Sequence, residues 1–130
     1  MSSFVLDASA LMAVLNRETG DSVVEAALIE GAAMSTVNFS EVVAKLAERA
    51  MTEQDIHLTL SPFDLELFDF DRTGAFAAGF LRSLTRRQGV SLGDRACLAL
   101  AAQVGLPALT SDRRWADLDP ALGVEVRLLR

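Results

Sequence analysis

Four acidic residues of this chain sit in unusual places. Asp7, Glu41 and Asp112 stand at strand-to-helix junctions, and Asp94 lies in the first turn of a helix whose N-terminus would join them if it packs at the same sheet edge. Asp7 follows Phe4-Val5-Leu6, and Glu41 closes Asn38-Phe39-Ser40-Glu41. Asp94 closes Ser91-Leu92-Gly93-Asp94, and Asp112 follows Ala108-Leu109-Thr110-Ser111. Each has an ordinary explanation. Asp7 and Asp112 read as helix N-caps. Residues 38–41 and 91–94 read as capping boxes, in which the fourth residue bonds back to the cap. A helical wheel turns Glu41 away from the apolar stripe between Phe39 and Leu46. The joint placement has a second reading. In an open parallel sheet all strand-to-helix junctions lie on one edge, where ligands bind. Carboxylates gathered there repel and raise one another's pKa. A hard divalent cation relieves that strain, and an all-oxygen set suits Mg²⁺ or Mn²⁺. Two such ions about 3.5–4 Å apart can engage both the attacking and the leaving oxygen of a phosphodiester.

The elements that must position these acids follow from the pattern of apolar residues. Ser3–Asp7 is a first strand, Ser9–Asn16 a helix, and Gly20-Asp21-Ser22 opens another helix with Val23, Val24, Ala27 and Leu28 on one face. Ala32–Ser35 is a second strand. Phe39, Val42, Val43, Leu46, Ala47 and Ala50 follow helical spacing to about Met51, and Thr52–Asp55 caps a further short helix. Pro62 interrupts the chain before a third strand, Leu65–Phe70. Arg72–Arg87 is predicted helical, with Phe76, Phe80 and Leu84 facing a core. Ser91–Val104 is apolar on nearly all sides after its first turn and should be a buried helix that Gly105 ends. Pro107–Ser111 is a fourth strand and Val124–Leu128 a possible fifth. The alternation predicts an α/β fold: a three-layer α/β/α sandwich around a mainly parallel sheet of four to five strands, in one domain spanning residues 1–130.

Composition narrows the function classes. With 51% hydrophobic and 23% charged residues the chain reads as globular. No apolar run reaches the roughly 18 residues that span a bilayer, so no membrane is expected. Met1–Leu6 lacks the basic start of a signal peptide, and a cytoplasmic location is expected. One cysteine, Cys97, excludes an internal disulfide and a Cys-based zinc site, and its apolar surroundings predict burial. The single histidine, His57, lies in a polar stretch and reads as a surface residue, which argues against His-based catalysis. A net charge of −6 argues against a nucleic-acid partner. Its distribution softens that objection: Arg82–Arg114 contains six arginines and two acids, a local balance of +4, leaving −10 elsewhere.

Val5-Leu6-Asp7-Ala8-Ser9-Ala10-Leu11, Asn38-Phe39-Ser40-Glu41-Val42, Ser91–Ala101 and Leu109-Thr110-Ser111-Asp112-Arg113-Arg114-Trp115 together resemble the four motifs of the PIN-domain ribonucleases. More narrowly they resemble the VapC-type toxins of type II toxin–antitoxin systems. The order and spacing match across nearly the whole chain. The resemblance implies metal-binding catalytic acids at Asp7, Glu41, Asp94 and Asp112. The fourth acid is the family's most variable, and Asp117 is the alternative to Asp112. It further implies Mg²⁺- or Mn²⁺-dependent hydrolysis of RNA by an activated water, leaving 5′-phosphate and 3′-hydroxyl ends. On that reading Asp7 and Asp94 hold the principal metal, and the hydroxyls of Ser9 and Thr110 orient the carboxylates. Arg95, Arg86 and Arg113 are the candidate RNA contacts, Arg95 because it adjoins Asp94. The family also implies a homodimer and a cognate antitoxin, with the apolar Leu11–Leu60 region supplying both contacts. The alternatives sharing the fold are a housekeeping RNA-processing nuclease and a non-catalytic interaction module. A phosphotransfer domain is disfavoured. Phosphatases of that type carry Asp-x-Asp where this chain has Asp7-Ala8-Ser9, and receivers need a late lysine where the only lysine is Lys45.

Overall fold

The computed structural model describes residues 1–130. Its strands are β1 (Phe4–Leu6), β2 (Ala32–Ser35), β3 (Leu65–Phe68), β4 (Ala108–Thr110) and β5 (Val126–Leu128). They form one sheet in the order β3-β2-β1-β4-β5, and every neighbouring pair is parallel. The helices are α1 (Ala8–Asn16), α2 (Asp21–Glu30), α3 (Thr36–Glu48), α4 (Glu53–Leu60), α5 (Arg72–Phe80), α6 (Arg82–Thr85) and α7 (Leu92–Val104).

Alternating side chains divide the core into two layers. Leu6, Met34 and Leu109 face one side, with Leu11 of α1, Val24 of α2, and Val42 and Leu46 of α3. Val5, Ala33 and Ala108 face the other, with Cys97, Leu98 and Ala101 of α7 and with Trp115. The small side chains of Ala33 and Ala108 let α7 lie close to the sheet, and this is why α7 is apolar on nearly all sides. Helices thus cover both faces of a parallel sheet, the α/β/α sandwich expected from the sequence. No helix is long and apolar enough to cross a membrane.

The sheet order decides where chemistry can occur. From β1 the chain builds outward through β2 and β3 on one side, then through β4 and β5 on the other. The topological switch point therefore lies between β1 and β4, where a crevice opens outside the strands' carboxyl ends. Asp7 follows β1 at that point, its backbone N–H donating to Leu109 O at 3.2 Å, and Thr110 ends β4 beside it.

Two local expectations are corrected. The helix after β2 begins at Thr36, with Ser35 as its N-cap donating no bond but accepting from Val37 N at 3.2 Å. Residues 38–41 are therefore not a capping box, and Glu41 lies in the second turn of α3. The 72–87 segment is not one helix with its aromatic side chains inward. It breaks into α5, α6 and a 3-10 turn at Arg86–Gln88, with Phe76 56% and Phe80 74% exposed. The reason is steric. It is the buried Ala78 of α5 that turns toward α7, because small side chains allow the two helices a close approach, and the phenylalanines are left on the solvent side.

Trp115, 1% exposed, anchors the 3-10 turn Arg113–Asp117 against the α7 layer, and its indole N–H has no protein acceptor. Trp115→Ala should cost about 3–5 kcal/mol in urea denaturation. Trp115→Phe should cost clearly less, since it keeps most of the ring and removes the unpaired donor.

Candidate active site

Asp7 is both the N-cap of α1 and the most buried acid of the chain, 4% exposed. One carboxylate oxygen accepts from Ala10 N at 2.9 Å and from Ser9 Oγ at 2.7 Å; the other accepts from Thr110 Oγ1 at 2.7 Å. The two hydroxyls continue into the loop after β4. Ser9 Oγ accepts from Ser111 N and Thr110 Oγ1 from Asp112 N, both at 3.0 Å. One network thus ties the loop that presents Asp112 to the carboxylate of Asp7. Burial nevertheless dominates. It pushes the Asp7 pKa from 3.8 up to about 6, with repulsion from Asp94 adding to the rise and the three hydrogen bonds opposing it.

Glu41 and Asp94 approach from two different helices. Asn38 Nδ2 donates to Glu41 Oε1 and to Gly93 O, each at 2.9 Å, holding the Glu41 carboxylate against the first turn of α7. The Glu41 carboxylate holds this position only because residue 93 is glycine: a Cβ there would lie 2.5 Å from both carboxylate oxygens and would push them aside. Asp94, the next residue, completes the capping box expected for 91–94, accepting from Ser91 N at 3.1 Å. The buried thiol of Cys97, one turn further on, is raised well above its ordinary pKa by burial and by the charges of Asp7, Asp94 and Glu41 together. Those three acids therefore share one electrostatic neighbourhood. None of them is hydrogen-bonded to a cationic side chain.

Asp112 differs. It caps the Arg113–Asp117 turn and is held by Arg114 through a bidentate contact of 2.6–3.2 Å, which lowers its pKa. No group of three acids, histidines or cysteines is close enough to grip one ion directly. The carboxylates converge on one edge without forming a closed cage. That arrangement suits an ion that keeps several waters, as Mg²⁺ does. An all-oxygen donor set with uncompensated negative charge at Asp7, Glu41 and Asp94 fits such a cation.

The model of the PIN domain matches residues 4–120. This chain belongs to the PIN domain family. No curated protein matches its sequence significantly. Among solved structures, a DNA-bound VapBC from Salmonella typhimurium is 20% identical, with 100% of each chain covered and a TM-score of 0.75. A toxin–antitoxin complex from Klebsiella pneumoniae is 20% identical over 98% of each chain, with a TM-score of 0.71. VapBC-5 from Mycobacterium tuberculosis is 26% identical over 97% of this chain and 98% of that one, with a TM-score of 0.62.

The other residues singled out in the sequence are more scattered in this PIN domain. Asp117 is exposed, its carbonyl accepts from Gln88 Nε2, and it lines a surface cleft with Arg86 and Arg87; it bonds to none of the other acids. Arg86 and Arg113 are exposed and unpaired. Arg95 is half-buried and donates to Ala78 O at 3.0 Å, tying the C-terminal end of α5 to the first turn of α7. That is a structural employment, and it turns the guanidinium away from free solvent. His57 is exposed and Cys97 buried, both as expected. Sequence reasoning missed the pairing of Arg114 with Asp112, and it missed the role of Asn38, whose three-residue spacing from Glu41 was the available signal.

Raising Asp7 from 3.8 to about 6 sets a pH dependence. Between those values the folded protein keeps a proton that the unfolded chain has released, so metal-free stability falls as pH rises through that window and then levels. The full cost is about 3 kcal/mol above it. Asp7→Asn should therefore be more stable than wild type in EDTA at pH 7, with the difference shrinking toward pH 4, as read by urea denaturation at each pH. A variant equally stable or less stable at pH 7 would contradict the burial argument.

Proposed function

We propose that this PIN domain is a metal-dependent endoribonuclease, the VapC-type toxin of a toxin–antitoxin pair. The observation that carries the reading is the Asp7 carboxylate: desolvated at the switch point, within reach of the charge on Asp94, and without a cationic partner. Burying such a charge uncompensated is costly for a structural cap, since an exposed cap would serve the helix as well. A divalent cation bound there would stabilise the charge that develops on a phosphodiester and favour ionisation of an attacking water.

Each residue then has a part. Asp7 and Asp94 would hold the cation, and Glu41 and Asp112 would complete its shell through waters. The Ser9 and Thr110 hydroxyls fix the Asp7 carboxylate in one rotamer and leave one lone pair on Oδ2 for the ion. Asp112 is available once Arg114 releases it, and Arg114 is then free to meet a phosphate. Arg86 and Arg113 are exposed where they can meet the RNA backbone; Arg95 acts there only if it leaves Ala78. The charge balance is reconciled in the same way, because a cation-loaded pocket no longer repels RNA.

The solved relatives named for toxin–antitoxin complexes support an antitoxin partner here. So does an apolar groove of about 390 Å³ between α3 and α4, lined by Phe39, Val43, Ile56 and Leu60 with Glu53 and His57 at its rim. A homodimer and a cytoplasmic location complete the proposal. Sedimentation equilibrium should give a mass near twice that of the chain; a monomer at micromolar concentration would remove the dimer.

The decisive assay incubates total RNA with the protein and Mg²⁺ or Mn²⁺, beside Asp7→Asn and an EDTA control, and maps the new ends. Wild type should cut and leave 5′-phosphates, while Asp7→Asn should lose at least about 100-fold in rate, as expected when charge stabilisation at the reacting phosphate is lost. Cutting that persists in Asp7→Asn or in EDTA would refute the mechanism.

A further inference from the structure

Asn38 is a polar side chain in an unusual position: 1% exposed, in the first turn of α3, between two helices that meet at the candidate active site. Its amide orientation is set by its surroundings. Both near partners, Glu41 Oε1 and Gly93 O, are acceptors, so the NH₂ must face them and both its protons are used. The carbonyl Oδ1 is then left buried without a protein donor. An apolar side chain would avoid that unpaired oxygen, so the core gains nothing from asparagine here. What asparagine supplies is a fork that grips a carboxylate with one proton and the α7 backbone with the other. The carboxylate also lies against Gly93, where a Cβ would be 2.5 Å from both its oxygens.

We infer that Asn38 is a positioning residue: with Gly93 it clamps the Glu41 carboxylate onto the first turn of α7, beside Asp94, so that two helices present their acids to one cation. The inference rests on the reading that Glu41 helps to hold that cation. Without the clamp Glu41 is a side chain with three rotatable bonds on a half-buried helix face, and its carboxylate would spend most of its time elsewhere.

The test is calorimetric titration of Mn²⁺ into the full chain as wild type, Asn38→Leu, Glu41→Gln and the double variant, with urea unfolding of each in EDTA. Asn38→Leu should unfold in EDTA at a midpoint equal to or above wild type, yet bind Mn²⁺ about tenfold more weakly, the loss typical when the partner of a metal-binding group is removed. The double variant should bind no more weakly than Glu41→Gln alone, because both substitutions remove the same contribution. Gly93→Ala provides a second route, displacing the carboxylate while leaving Asn38 in place. It should also weaken Mn²⁺ binding, and if Asn38→Leu does not fold, Asn38→Ala takes its place in the cycle with the same expected outcomes. Wild-type affinity in Asn38→Leu alongside a loss in Glu41→Gln would overturn the positioning role and leave Glu41 as a metal-holding residue. Losses that add in the double variant would overturn it too. Wild-type affinity in Glu41→Gln would instead remove Glu41 from the metal site, and the positioning role with it.

Discussion

Everything at this site depends on a carboxylate placed at the end of the central strand of a parallel sheet. Strand β1 has neighbours on both sides and helices on both faces, so the residue that leaves it is enclosed by β4, α1 and the start of α7. An acid there loses most of its hydration. The chain offsets part of that loss with three donors, Ala10 N–H and the Ser9 and Thr110 hydroxyls, and leaves the remainder as a raised pKa. The hydroxyls also orient the group, and through Ser111 N and Asp112 N they tie the β4 loop to the same carboxylate. Fold and site are thus coupled at one atom group.

The capping reading holds for three of the four acids, and it does not compete with a chemical one. Asp7 and Asp112 are N-caps, and Asp94 completes the capping box whose cap is Ser91. Helix N-termini in a parallel sheet cluster at the edge where the strands end, so capping is a route by which an α/β fold delivers carboxylates to one place. Capping also limits the site, because Asp94 is shared with Ser91 N and Asp112 with Arg114, so neither points freely inward. The loose convergence that results suits a well-hydrated ion. Glu41 is the exception. It caps nothing, and its place against α7 is explained only by Asn38 and by the absence of a side chain at Gly93.

Membership of the PIN family rests on a match over residues 4–120, and the solved relatives share the fold at identities near one residue in five. At that distance the likeness is one of fold. The sheet requires only that the alternation of inward side chains be kept, and Val5, Leu6, Ala33, Met34, Ala108 and Leu109 keep it.

Local patterns in the sequence determined the strands, the buried α7, the stop at Gly105, the capping box at Ser91–Asp94 and the placement of Asp7 and Asp112 at strand ends. Each depends on residues within a few positions of one another, where propensity and periodicity act. Contacts between distant segments decided the rest. The inward face of α5 follows from the need for close approach to α7, which favours Ala78 over the phenylalanines that a wheel selects. The start of α3 follows from Ser35 at the end of β2, which displaces the Asn38 cap suggested by spacing. Arg95 is drawn to Ala78 O, seventeen residues back, and Asn38 reaches Gly93, fifty-five residues on. No one-dimensional pattern encodes such partners, because a side chain's hydrogen bonds are chosen by whatever the folded chain brings within about 3 Å of it.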